Sequence, residues 1–307
     1  MEIKSIINNL NQEVYYVSWE VNNPSSMVVI SHGMAEHPKR YEDLAKYLND
    51  NGISVYAIYH IGHGEYATKL GHMGKNEFNQ CVDNINYLIE SIKKDVKVFL
   101  LGHSMGSFIS QLYISKYDNI DGLILSGSNN STVLFKMGSV VSSLICAFSK
   151  DDSVASPFLD NLSFGSFNNM IKDPKTKFDW LSRDEKEVQK YIDDPYCGFV
   201  CSKGFFKNLT KGTATMANKN KIKNINKELP ILILGGSNDP VSSNGKGLKK
   251  LYEQYKKLNI KNVSLKIYDG ARHEIYNEIN KEEVYNDTLE FIYKFQGEVV
   301  YDKLFSF

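Results

Sequence analysis

The pentapeptide Gly102-His103-Ser104-Met105-Gly106 follows the apolar run from Val96 to Leu101 and precedes a helix-like stretch from Ser107 to Lys116. A serine in a strand-to-helix turn this tight must adopt strained backbone angles, so the residues two before and two after it must lack side-chain bulk. Both are glycine here. Such a turn lifts a hydroxyl above the sheet edge, at a helix N-terminus whose amides and dipole favour negative charge. The order strand, glycine-flanked serine, helix therefore predicts a layered α/β chain with Ser104 as a nucleophile.

A serine nucleophile needs a base and an acid, and in this arrangement they follow it in the order acid, histidine, each on a loop after a later strand. Six of the seven histidines precede Ser104, which leaves His273. It lies in Asp269-Gly270-Ala271-Arg272-His273-Glu274, directly after the alternating run Val263 to Tyr268. The acid is expected on the loop after the preceding strand. Pro230 to Gly236 reads as a buried parallel strand, and the Ser237-Asn238-Asp239-Pro240 that follows supplies Asp239. Asp-Pro also starts turns, and Asp269 and Glu274 are the other carboxylates nearby. An acyl-transfer intermediate further needs two amide donors for its oxyanion. Met105 N–H is expected to be one. Met34 N–H is the other, on the loop after the strand Met27 to Ser31.

The rest of the chain alternates strand and helix signals. Glu13 to Glu20 and Met27 to Ser31 read as a leading strand pair, and Ser54 to Tyr59 and Ile120 to Ser126 as further strands. Arg40 to Asn51, Glu77 to Lys94, Gly245 to Leu258 and Lys281 to Phe295 read as helices. That rhythm predicts a mostly parallel central sheet with helices on both faces. It breaks from Gly127 to about Glu228. So long a loop without secondary structure is implausible inside a compact domain, so the expected organisation is 1–127 core, 128–228 inserted helical cap, 229–307 core. Along the stretch from Phe135 to Phe148, helical spacing aligns Met137, Val140, Val141, Leu144, Ile145 and Phe148. Three readings of that face stay open: an acyl-chain tunnel, a lipid contact, or packing on the core.

Several motifs taken together carry a resemblance. His32-Gly33-Met34-Ala35-Glu36-His37 with Arg40-Tyr41, Gly62-His63-Gly64, the Ser104 pentapeptide, Asn238-Asp239-Pro240-Val241 and the His273 segment occur in order. In this the chain resembles the monoacylglycerol lipase and lysophospholipase branch of the α/β-hydrolases, from about Tyr16 to about Phe295. It is also similar to a bacterial subgroup whose cap carries Phe164-Gly165-Ser166-Phe167-Asn168 and Phe178 to Asp184. The resemblance implies the α/β-hydrolase fold and a lipid-like ester substrate with one fatty acyl chain, cleaved through an acyl-enzyme on Ser104. An amide or peptide hydrolase of the same fold, or a scaffold that only binds a hydrophobic ligand, is the alternative. One departure stands out. Relatives read Asp-x-Arg-Gly-His-Gly-x-Ser where this chain reads His60-Ile61-Gly62-His63-Gly64-Glu65-Tyr66, which leaves the triad untouched but alters substrate-side contacts. His60 is expected to be a structural histidine rather than a catalytic one, because the triad is already filled.

Composition narrows the remaining classes. Lys plus Arg and Asp plus Glu both number 36, so the net charge is zero, and no basic face points to nucleic acid. Cys197 and Cys201 have three intervening residues and no histidine nearby in sequence, unlike zinc sites. The four cysteines are expected to be free thiols in a reducing compartment. The chemistry calls for no cofactor and no metal. No leader-like or bilayer-spanning run is present, which predicts a cytoplasmic enzyme that touches a membrane surface only transiently, through the cap. Arg183 is expected to pair structurally with Asp184, with an anionic head group as the alternative, and Phe205-Phe206 with Tyr196 to Phe199 to add aromatic wall to the substrate site.

Overall fold

A computed structural model describes residues 1–130, 132–216 and 222–297, with backbone alone for 132–136. Eight strands form one sheet: β1 Glu2–Ile7, β2 Glu13–Trp19, β3 Ser26–Ser31, β4 Ile53–Ile58, β5 Lys97–His103, β6 Gly122–Ser126, β7 Ile231–Gly236 and β8 Val263–Tyr268. Their order is β1-β2-β4-β3-β5-β6-β7-β8. Pairing is antiparallel from β1 to β2 and from β2 to β4, and parallel from there on. Only β2 runs against the rest. The leading strand pair expected from sequence is not a pair. β4 stands between β2 and β3, because the crossover from β3 returns its strand to the near side of β3 and leaves the partner edge of β2 to β4.

Helices cover both faces: α1 Glu42–Asp50, α2 Glu77–Ile92, α3 Met105–Lys116, α8 Lys246–Lys257 and α9 Lys281–Phe295. Side chains alternate across a strand, and the core divides accordingly. Val29, Leu100, Leu123 and Ile233 face α2, α3 and α8 through Phe78, Ile85, Ile109 and Leu251. Val28, Ile30, Leu101, Ile124 and Leu234 face α1 and α9 through Leu44, Leu48, Val284 and Ile292. Each of these side chains is buried, at roughly 1.5–3 kcal/mol of transfer free energy apiece.

Between β6 and β7 the chain forms α4 Thr132–Ala147, α5 Pro157–Phe164, α6 Glu185–Asp193 and α7 Lys203–Thr215. Ser156, Asp184 and Ser202 start α5, α6 and α7 by accepting a hydrogen bond from a first-turn amide, which satisfies donors the helix leaves open. α7 docks inward. Phe205 and Phe206 are fully buried in the main core, which corrects their expected place in a substrate wall. α4 faces the other way: Met137, Val140 and Leu144 are 62%, 61% and 55% exposed and Phe148, directly after the helix, is 89% exposed, while Ile145 packs against the core.

From β3 the chain crosses first to β4 and later to β5 on the opposite side. In open α/β sheets such a switch point opens a crevice at the carboxyl ends of the strands. The register places Ser31 opposite Gly102, His103 opposite Ser126, and Gly236 opposite Tyr268. All the loops expected to carry chemistry therefore leave the sheet at one rim.

Candidate active site

Ser104 sits between β5 and α3 at φ 51°, ψ −118°, a strained conformation for a residue with a side chain. Its amide donates to Ser126 O at 3.0 Å. A β-carbon on Gly106 would lie 1.9 Å from Ser31 O, and one on Gly102 would lie 2.4 Å from Ser110 Oγ and 2.6 Å from Gly106 O. The two glycines are thus required by close approach of backbone on both sides of the turn. Ser104 itself is half-buried, at the N-terminus of α3.

Asp239, on the loop after β7, is fully buried and accepts from Val241 N–H at 2.9 Å. The same oxygen is 3.0 Å from His273 Nδ1. A carboxylate there accepts a hydrogen bond from Nδ1–H, so Nε2 carries the lone pair. Gly127, at φ +56°, follows β6, and a β-carbon on it would lie 2.9 Å from His273 Cε1. The imidazole lies against the ring of His103, next to Ser104, with 4.8 Å between centroids, and against Trp180 at 5.2 Å. Burial disfavours the imidazolium, but the charge and hydrogen bond of Asp239, with the charges of Glu274 and Glu36, outweigh it and raise the pKa of His273. Among the described residues no hydrogen bond joins Ser104 to His273. Such contacts often tighten only once substrate is bound.

The loop after β3 carries Met34. A β-carbon on Gly33 would sit 3.2 Å from Ser104 Cβ, so this loop passes beside the serine. It is strained at Ala35, φ +54°, and braced from several sides. Ala35 N–H donates to His63 Nε2 at 3.2 Å, and Ala35 O accepts from Gly198 N–H at 3.0 Å and Tyr191 O–H at 2.9 Å. Gly33 N–H donates to Glu36. Neither Met34 N–H nor Met105 N–H donates to another group among the described residues.

A buried ionic triad, not foreseen from sequence, joins this loop to that of His273. Arg40 donates to Glu36 at 2.8 Å and, through both terminal nitrogens, to Glu274 at 2.7 Å, and its guanidinium stacks on Tyr191 at 4.8 Å. Burial opposes the Glu274 charge, yet Arg40 more than offsets it and lowers the carboxyl to about 2. The i, i+4 spacing of Glu36 and Arg40 was visible in the sequence, but their third partner lies 234 residues on. Glu274 is therefore committed to Arg40, and Asp269 to Ser237 Oγ at 3.3 Å.

His60 is buried, with Nε2 2.8 Å from Ser31 Oγ and its ring tilted against that of His32 with 4.6 Å between centroids. Burial pushes its pKa to about 3 and that of His63 to about 4. Both are neutral braces behind the Met34 loop. Arg183 does pair, but with Glu278 at 2.9 Å and Asn280 at 2.7 Å, because Asp184 is occupied as the cap of α6. The four cysteines are free and buried. His37, Asp194 and Cys197 place ligand-type atoms within 4.8 Å of one another. The 2.7 Å His37–Asp194 hydrogen bond accounts for that cluster, and His37 Nδ1 lacks the outer partner that a metal-binding ring has. A cavity of about 550 Å³ lies behind the His60 loop, lined by Tyr15, Tyr66 and His72 among others but not by Ser104. The candidate site is instead the place where the Ser104 turn and the Asp239–His273 pair lie side by side through His103.

In sequence, the chain is 29% identical over 290 residues to a monoglyceride lipase homolog of Monkeypox virus, covering 92% of this chain and 94% of that protein. It is 28% identical over 291 residues to the monoglyceride lipase of Homo sapiens, covering 91% and 85%. A solved lipase in its open form is similar over 97% of this chain and 100% of its own, with a TM-score of 0.86 and 25% identity. Residues 22–280 match the family described as serine aminopeptidase, S33, and with the sheet, the strained serine turn and the Asp–His loops in place, the chain belongs to that family of α/β-hydrolases.

Proposed function

We propose that the protein hydrolyses carboxylic esters of a single fatty acyl chain, of the monoacylglycerol or lysophospholipid type, through an acyl-enzyme on Ser104. The observation that carries this reading is the hydrogen-bonded pair Asp239–His273, whose imidazole packs beside the strained Ser104 turn. Ser104 Oγ attacks the substrate carbonyl while His273 Nε2 takes its proton, and Asp239 stabilises the imidazolium. The amides of Met34 and Met105 receive the oxyanion, each such donor being worth about 3 kcal/mol. His273 then protonates the leaving alcohol, and water repeats the sequence on the acyl-enzyme.

The choice of a monoester rests on relatives named monoglyceride lipase that align along more than nine-tenths of this chain. The family's description as a peptidase keeps amide cleavage as the second reading. Residues 128–228 act as the cap in this reading, and α4 gives it an outward apolar face. No helix among the described residues is long and apolar enough to cross a membrane, and a cytoplasmic enzyme that meets lipid transiently through α4 fits both features. Purified protein is expected to hydrolyse monoacylglycerols and to be labelled by a fluorophosphonate, with Ser104→Ala abolishing both. Label retained in that variant, or faster cleavage of aminoacyl amides than of esters by the wild type, overturns the reading.

A further inference from the structure

The two cap segments Phe164–Asn168 and Phe178–Asp184 have no role in the chemistry derived so far, yet the fold brings them together over the imidazole. Trp180 lies parallel to Phe164 with centroids 6.1 Å apart and edge-on to Phe167 at 5.0 Å. Its backbone N–H donates to Asn168 Oδ1 at 3.0 Å. On the other side its ring packs on His273, and its carbonyl accepts from His273 N–H at 3.3 Å. The neighbouring contacts repeat the pattern. Glu274 N–H donates to Leu181 O at 2.7 Å, and Arg272 donates to the carbonyls of Asp179 at 2.6 Å and Ser182 at 2.8 Å. The buried Glu278 holds Arg183 and also accepts from Arg272 N–H at 2.8 Å. One segment of the cap is thus hydrogen-bonded to three consecutive residues of the loop that carries the imidazole, Arg272, His273 and Glu274.

We infer that Trp180 is a positioning residue for His273 and the aromatic wall of the leaving-alcohol side of the site. The inference rests on the acyl-enzyme reading above. In that reading His273 Nε2 delivers the proton to the departing alcohol, so the ring that flanks the imidazole also flanks the alcohol. Trp180 therefore does two things. It helps to fix the plane of the imidazole, which His103 also flanks, and it keeps water off the ring. Phe164, Phe167 and Asn168 hold the indole in place.

The test compares wild type, Trp180→Ala, Trp180→Phe and Phe167→Ala on a monoacylglycerol and on the methyl ester of the same acid, across pH. In Trp180→Ala, kcat on the monoacylglycerol falls roughly 10- to 100-fold, the range for a displaced catalytic group. The monoacylglycerol-to-methyl ester ratio of kcat/KM falls roughly tenfold, as for a lost apolar contact. Water admitted to the imidazole eases the burial that disfavours its charged form, so the acid limb of the pH profile moves to higher pH. Asp239, Glu274, Glu36, Arg40 and His103, the other charged and titratable groups around the ring, are unchanged in every variant. Trp180→Phe restores limb and ratio. Phe167→Ala, which leaves the indole present but unbraced, shifts both in the same direction and carries the test should Trp180→Ala not fold. An unmoved limb and ratio in a folded Trp180→Ala or in Phe167→Ala overturns the inference. Failure of wild type itself to cleave either ester overturns the acyl-enzyme reading instead.

Discussion

Ser104 and His273 show how much of the proposed chemistry is set by single side chains. The imidazole must be neutral to accept the Ser104 proton. Its pKa is raised above the ordinary histidine value of about 6.5, so kcat/KM should fall as pH drops through an apparent pKa above 6.5. Asp239→Asn removes the largest raising influence. That limb should then move to lower pH, and kcat should fall on the order of 10⁴-fold as the ring loses its productive tautomer. A pH series of kcat/KM on both proteins checks the direction. At this scale the sequence was legible: serine, acid and histidine each sit directly after a strand, where local spacing announces them. Trp180 was not, because nothing in its own neighbourhood shows that the indole meets a histidine 93 positions further along the chain.

Between elements, the triad Glu36–Arg40–Glu274 fastens the Met34 loop to the His273 loop. All three side chains are 10% exposed or less. Breaking a buried pair strands a charge and costs about 3–5 kcal/mol, far more than a surface ion pair contributes. Arg40→Met leaves two buried carboxylates facing each other, so urea unfolding should show a loss in that range. A loss under 1 kcal/mol would mean that water reaches the triad. The strands were readable as elements from their apolar runs and turn residues, yet the adjacency of β2 and β3 was misread. Periodicity reports that a segment is a strand and which face it buries, and it carries no information about which edge it joins. α4 makes the same point. Its spacing predicted an apolar face and left three readings of that face open, until packing turned Met137, Val140, Leu144 and Phe148 outward.

For the whole molecule, the outward apolar face of α4 and the residue after it gives the proposed cap a surface that suits substrate held in a lipid phase. Exchanging Met137, Val140, Leu144 and Phe148 together for serine removes apolar surface that is already in water, and each change should alter stability by no more than about 0.5 kcal/mol. Hydrolysis of a monoacylglycerol presented in vesicles should fall severalfold, while a short-chain soluble ester is cleaved at the wild-type rate. Equal losses on both substrates would show that α4 shapes the pocket rather than meeting lipid. The sequence by itself determined the layered α/β plan, the strained serine turn, and the positions of the residues proposed to act there, since these follow from steric limits and side-chain periods within a few residues of chain. The tertiary structure alone decided the strand order, the partner of Arg40, the outward turn of α4 and the seat of Trp180 on the imidazole. Those depend on free energies of contact between segments far apart in the chain, which no local spacing encodes.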